Sequence, residues 1–410
     1  MRAFNDKRGF TLPLTIVILV VVGILAASFY GMVKSERIET FHRYQKAQSV
    51  LELESGVNYA FYHMQEQHKP WRTDSLRHAS PDSSIRFSMK QVQDGPFARL
   101  SVFNSDSSRE FSARTGFIPR TFPALTLLAS LANVSLVGDA RIEGGTATKV
   151  GSVSYSSHYK VRAGKEAFHD TVYVGDTLSV YDTLLFFPEL SRKQFADTFH
   201  TEKCIYDGID NVPANATLLC KTVIMQGDSR CDKCNIKADR LFVRERAQLK
   251  DANVIARAIS LKDTAAVSGT FFAQDSLEVS LSRKQDASLN LILQGRKTGE
   301  VEYTGFMEIQ KLKASRALVI FMGDNWDETA KGVPVNVAED VEIRGALISR
   351  GMTDFRGKLT GMLITYNFGF YEEHTLWRGF LRDGRIIGDT TIHTFLPDIV
   401  YLGGEASYEK

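Results

Sequence analysis

The chain is poor in proline and cysteine and has almost no net charge. Of its 410 residues only 10 are Pro and 4 are Cys, and 50 Lys+Arg meet 48 Asp+Glu for a formal charge of +2. So small a basic surplus removes counterion release as a large driving force, which argues against a dedicated nucleic-acid binder. Four cysteines are too few for a disulfide scaffold in a chain of this size. The sequence also lacks G-x-S-x-G, P-loop, dinucleotide-binding and H-E-x-x-H motifs. No carboxylate cluster stands out from its scattered surface charge. Neither catalysis nor a cofactor nor a metal is expected.

What is present is an ordinary globular composition, 43% apolar and 24% charged, which excludes wholesale disorder and a multi-span membrane architecture. Gly outnumbers Pro three to one, a lean toward turn-rich β structure. The one long hydrophobic run is at the start, where the stretch from Phe10 to Val33 carries no charge between Arg8 and Lys34. As a helix it rises roughly 36 Å, enough to cross a hydrocarbon core of about 30 Å. Leu12, Leu14, Ile16, Ile18, Val21 and Ile24 supply its membrane and assembly surface. Beyond it, Ile38, Phe41, Val50, Leu51, Val57, Phe61 and Met64 fall mostly at helical spacing among charged residues, so the helix is expected to continue to about residue 64.

Three readings compete for this segment. A cleaved secretory signal fits poorly, because the run is long and Leu25-Ala26-Ala27 is a weak site. A plain signal anchor fits the length. The third rests on the leader Lys7-Arg8-Gly9-Phe10-Thr11-Leu12, in which basic residues meet a Gly just before the apolar helix. This resembles the prepilin peptidase site of type IV pilins and type II secretion pseudopilins, and the resemblance implies cleavage after Gly9 to free Phe10. Ala47–Ala60, with Glu54-Ser55-Gly56-Val57 and Ala60, is similar to the stretch that follows the span in minor pilins. The likeness extends from the leader to Ala60 and no further. Pilins usually carry Glu at the fifth position after the cleavage point, where this chain has Leu14, and that departure points to a minor rather than a bulk subunit. Basic residues flank the span on both sides, so the positive-inside count does not orient it. The short leader and long remainder favour a translocated C-terminal part.

Residues 67–84, with Pro70, Pro81 and a Ser/Asp cluster, read as a linker. Ile85–Met89, the Asp94-Gly95-Pro96 turn, Phe97–Phe103 and Arg109–Arg114 read as a small antiparallel meander within 85–128.

The most regular signal lies further on. Val223, Leu241, Ile259 and Leu277 recur at a constant step of eighteen, as do Met225, Val243, Leu261 and Val279; Cys231, Leu249, Val267; and Ile236, Val254, Phe272. A finer period of six places Val243, Leu249, Ile255, Leu261, Val267, Ala273 and Val279 inward, and two positions earlier Leu241, Ala247, Asn253, Ile259, Ala265, Phe271 and Leu277. One strand and corner per period of six, three sides per turn, predict a triangular β-solenoid whose like residues stack at about 4.8 Å. The texture resembles bactofilin-type solenoids, in period only. The solenoid is expected over 129–370, including Val134–Gly145 upstream. Downstream, Val341–Ser349 is echoed at a step of sixteen by Gly357–Thr365. An insertion is expected around 152–215, with Leu184–Pro188 as a covering loop rather than a partner-binding face. The fold class is thus α+β: a long N-terminal transmembrane, pilin-like helix, a small β-meander, then a mainly β domain.

Hexapeptide solenoids include acyltransferases that use a His base, but the nine His, at 42, 63, 68, 78, 158, 169, 200, 374 and 393, all miss the regular turns of 223–279. Cys204, Cys220, Cys231 and Cys234 lack paired C-x2-C knuckles, so disulfides are preferred over free thiols or zinc, with Cys204–Cys220 the favoured pair of three connectivities. Asp239, Asp251, Asp263 and Asp275 recur at a step of twelve. That step changes side each time, so polar corners are expected rather than a calcium ladder. Phe368, Phe370, Tyr371, His374, Trp377 and Phe380 open a C-terminal cap or tail over 371–410, with an exposed aromatic strip as the alternative.

Together with the leader at 1–9 and the helix at 10–66, these features predict a structural protein at a bacterial inner membrane, its C-terminal domain exported to the periplasm or cell surface. The expected partners are the membrane, other pilin or pseudopilin subunits and prepilin peptidase, with a surface glycan as a further candidate. The alternative is a membrane-anchored solenoid scaffold or carbohydrate-binding protein without pilin partners. A surface polysaccharide lyase or hydrolase ranks third.

Overall fold

The structure is a computed structural model and describes residues 11–67, 77–79, 87–94, 97–105, 107, 110–119, 124–127, 133–148, 153–155, 171–172, 181–188, 201–209, 211–298, 302–323, 332–389, 391 and 399–401. One long apolar helix precedes a domain of mostly parallel strands. The helix, α1 (Thr11–Gln67), runs 57 residues without a break, about 85 Å at 1.5 Å per residue. Its only proline, Pro13, sits in the first turn, where no intrahelical carbonyl loses a partner.

An antiparallel sheet follows: β1 (Arg77–Ala79), β2 (Phe87–Asp94), β3 (Phe97–Asn104) and β4 (Glu110–Pro119) pair in that order. Residues 77–79, expected within the linker, thus pair with β2. Tyr181–Pro188 pairs antiparallel with β4, and Ile399–Tyr401 pairs parallel on its far side. The run expected to cover the stack as a loop is instead an inner strand of this sheet. It is a leucine- and aromatic-rich segment with a neighbour on each side to satisfy its backbone.

The parallel domain follows the eighteen-residue step over three strand pairs. Val223 faces Leu241, Leu241 faces Ile259 and Ile259 faces Leu277. Met225, Val243, Leu261 and Val279 pair in the same way, and Cys231, Leu249 and Val267 line up beside them. All of these are buried.

The remaining side departs from the expected pattern. Ala252 faces Gly269, seventeen residues on, so Val254 meets Phe271 and Ile255 meets Phe272. Side chains alternate along a strand, so a slip of one residue exchanges faces. Val254, Ala256 and Phe271 enter the core; Ile255, Asn253 and Phe272 lie on the outer face. That outer face is apolar as well. Ile255, Phe272, Ile292, Ile320, Ile348 and Ile364 form one column across six strands, and all six are buried. A parallel sheet covered on both faces needs near-continuous apolar strands, which Leu289–Leu293 and Ala317–Phe321 supply.

Downstream the step becomes sixteen, with Ile343 on Leu359 and Leu347 on Leu363. The stack then continues into earlier sequence: Leu363 pairs with Leu125, Leu381 with Leu136 and Ile386 with Ile142. Residues 125–127 and 134–143 therefore lie at the C-terminal side of the stack rather than ahead of Thr201. Thr201–Tyr206, within the expected insertion, begins the other side by pairing with Thr217–Met225. Stacking requires only that inward side chains match between adjacent strands, and Leu363–Leu125 and Ile386–Ile142 match although they are far apart in the chain.

The C-terminal segment differs from the expected cap for the same reason. Gly369–Glu372 folds back on Thr375–Arg378 as a hairpin. Phe380–Arg382 and Arg385–Gly388 then extend the stack against residues 135–143.

Candidate membrane and assembly segment

Among the described residues the most apolar stretch of α1 has none of its surface buried. Ile16, Ile18, Val21 and Ile24 are exposed, and Phe29 and Tyr30 reach 69% and 71%. Leu12 and Leu14 fall in the first two turns of the helix. The junction Gly9–Phe10 lies outside the described residues. One helix is thus long and apolar enough to span a membrane.

The C-terminal half of α1 meets the antiparallel sheet. Leu53 and Ala60 are fully buried, and the Tyr59 ring lies 5.9 Å from that of Phe87. Gly56 sits where helix and sheet come closest: a Cβ there would lie 2.5 Å from Val102 Cγ1 and 3.0 Å from Phe87 Cδ2. One turn earlier the Glu52 carboxylate is buried and accepts hydrogen bonds from the Ser105 backbone N–H at 3.0 Å and its hydroxyl at 2.9 Å. Glu52 is one of the charged residues that fill the gaps between the apolar positions of α1. Its spacing with Ser49, Leu53, Gly56 and Ala60 puts it beside the small-residue stripe, which is the signal that was there to be read.

Gly56→Leu is expected to push α1 off β2 and β3, costing about 2–3 kcal/mol by overpacking. Hydrogen exchange should accelerate in residues 100–104 while the core of 236–261 stays protected. Equal acceleration in both regions would contradict this docking.

The four cysteines form two pairs. Cys204 and Cys220 are bonded with Cα atoms 6.1 Å apart, and Cys231 and Cys234 with Cα atoms 5.9 Å apart. The first joins Thr201–Tyr206 to the strand stacked on it; the second closes a corner whose two cysteines are buried. No thiol is left to bind zinc. Among the described residues no three His, Cys, Asp or Glu converge as a metal site.

Of the twelve-spaced aspartates, Asp251 and Asp263 occupy left-handed corners with φ of 50° and 63°. Asp239 and Asp275 instead flank Arg257, at 2.9 and 3.7 Å. Three twelve-residue steps equal two of eighteen, which returns Asp275 to the column of Asp239. Ion pairs also tie corners: Arg246 donates to both Asp228 oxygens at 2.8 Å, and Asp228 raises the Arg246 pKa above its ordinary value. Arg356 is bidentate on the buried Asp354, whose hydrogen bonds raise it in the same way. Arg350 is the opposite case. Burial lowers it to about 10, and it donates to the Gly323 carbonyl at 2.9 Å.

The C-terminal aromatics share a hairpin but not a face. Phe370 pairs with Trp377 and Tyr371 with Leu376, so Tyr371 and Trp377 leave opposite sides. Trp377, Phe380 and Phe370 stack edge to face at 6.0 and 6.4 Å, and the Arg382 guanidinium lies 4.2 Å over the Phe370 ring. They form no flat platform with Tyr371.

Comparison with protein-family models, curated proteins and solved structures returned no match.

Proposed function

We propose that this chain is a minor pilin or pseudopilin-like structural protein of a type IV pilus or type II secretion-like assembly. The observation that carries this is the division of labour within one unbroken helix. Its N-terminal half is apolar and bare, and its C-terminal half packs through Glu52, Gly56 and Ala60 onto an antiparallel sheet. The basic leader ending at Gly9 stands directly ahead of it.

The parallel domain is the displayed head, a β-solenoid of about eighteen residues per turn in its regular part. The eighteen-residue offsets of three successive strand pairs and the recurrent left-handed corners support that reading. The head faces the periplasm or cell surface from a single span in the inner membrane. Two disulfides suit that oxidising side. The protein works by contact rather than by catalysis.

The single apolar span and the stacked domain also fit a second reading: a membrane-anchored solenoid scaffold or carbohydrate-binding protein that needs no pilin partner. Intact mass of the membrane-extracted protein separates the two. A chain beginning at Phe10 is expected, and a Gly9→Leu variant should keep its leader. A full-length native chain would demote the protein to a signal-anchored scaffold.

A further inference from the structure

One flank of the parallel stack carries a basic line. Strand pairing sets Lys313 beside Glu342, Glu342 beside Lys358, Lys358 beside Arg385 and Arg385 beside Arg141. The Gln285–Ala314 bridge places Lys284 next in line. Each of the six precedes a buried residue, such as Ile343 or Ile386, and so points outward. Successive positions are about 4.8 Å apart, so the line is about 24 Å long.

Five of the six are basic, and like charges directly across neighbouring strands destabilise a sheet. Compensation is partial. Lys284 pairs with Asp286 at 2.8 Å, Lys358 with Glu342 at 3.0 Å and Arg141 with Glu143 at 2.7 Å. Among the described residues Lys313 and Arg385 have no ion-pair partner. The charges stay accessible, with the Lys284, Lys358 and Arg141 side chains 63%, 45% and 48% exposed.

We propose that this flank binds a linear acidic polysaccharide, a polyuronate lying along the stack axis with its carboxylates on this line. An extended polymer fits because the bases repeat in one direction at strand spacing. The interspersed acids keep the charge density low. That suits one carboxylate per sugar better than the much denser phosphate charge of duplex nucleic acid. Single-stranded nucleic acid would need aromatic rings for base stacking, and none of the six positions holds one. The proposal rests on strand register alone and is independent of leader processing or helix assembly.

The test uses the full chain in detergent micelles, with polygalacturonate, neutral dextran and single-stranded DNA as probes. Polygalacturonate should bind, more weakly at raised salt, and dextran should not. Lys313→Gln with Arg385→Gln should weaken binding by about tenfold without lowering the melting temperature, whereas Lys313→Arg with Arg385→Lys should retain binding. Unchanged binding in the Gln variant, equal binding to dextran, or DNA bound as tightly as polygalacturonate would each overturn the proposal.

Discussion

Leu261→Asp is expected to unfold the parallel domain. Leu261 is fully buried, between Val243 on one neighbouring strand and Val279 on the other. The substitution removes the leucine contacts, a loss of about 2–5 kcal/mol on its own. It also places a carboxylate among apolar side chains with no partner. The sum rivals the stability of a whole domain, about 5–15 kcal/mol. The parallel sheet transmits the damage, because each strand pairs only with its immediate neighbours. The adjacent residue provides the contrast: Lys262 points outward and pairs with Glu278 at 3.2 Å, half-exposed, so Lys262→Ser should change stability by less than about 1 kcal/mol. Thermal denaturation followed by circular dichroism checks both variants. A Leu261→Asp melt matching the parent would remove the inward assignment on which the stack depends.

The contrast between these neighbours shows what period alone can reveal. Residues 223 to 249, 258 to 267 and 276 to 279 repeat so regularly that their inward positions are legible from spacing, since every eighteenth side chain meets its like. Ile255 shows where that logic fails. Period six placed it inward, but Ile236 and Val254 take the inward positions of this side, so Ile255 stands opposite Lys237 on one strand and Phe272 on the other, on the outer face. Because the outer face of the same sheet is also buried, hydrophobicity does not distinguish Ile255 from Val254. The union of residues 125–127 and 134–143 with 358–388 was illegible for a different reason: pairing between distant segments leaves no period. Around the helix, the Gly56 and Ala60 contacts follow from small residues at helical spacing. The buried Glu52 depends on Ser105, whose position only the folded sheet establishes.

The one-residue slip at Gly269 yields the second large effect. Asn215, Lys233, Asp251 and Gly269 succeed one another along a corner of the stack, with φ of 61°, 54°, 50° and 107°. The first three lie in the left-handed region, which side chains enter at a cost of about 1–2 kcal/mol. Their corners offset it with hydrogen bonds: Lys233 N–H donates to the Lys250 carbonyl at 2.7 Å, and Asp251 N–H to the Ser268 hydroxyl at 2.8 Å. Gly269 lies beyond that region, and a Cβ there would collide with the Ala252 backbone. Substitutions along this one column should therefore differ in sign. Lys233→Gly relieves backbone strain while loosening the unfolded chain, so it should be neutral or stabilising by up to about 1 kcal/mol. Gly269→Ala adds strain of about 1–3 kcal/mol and a collision with backbone that cannot rotate away. It should lower the melting temperature by well over about 5 °C, taking about 2–4 °C per kcal/mol for a domain of this size. Because the seventeen-residue step depends on that close approach, its failure should also expose the outer column, seen as faster hydrogen exchange at Phe272 and Ile292. If Gly269→Ala melted like the parent, Ala252 and Gly269 could not be in contact, and Val254 would no longer be held opposite Phe271.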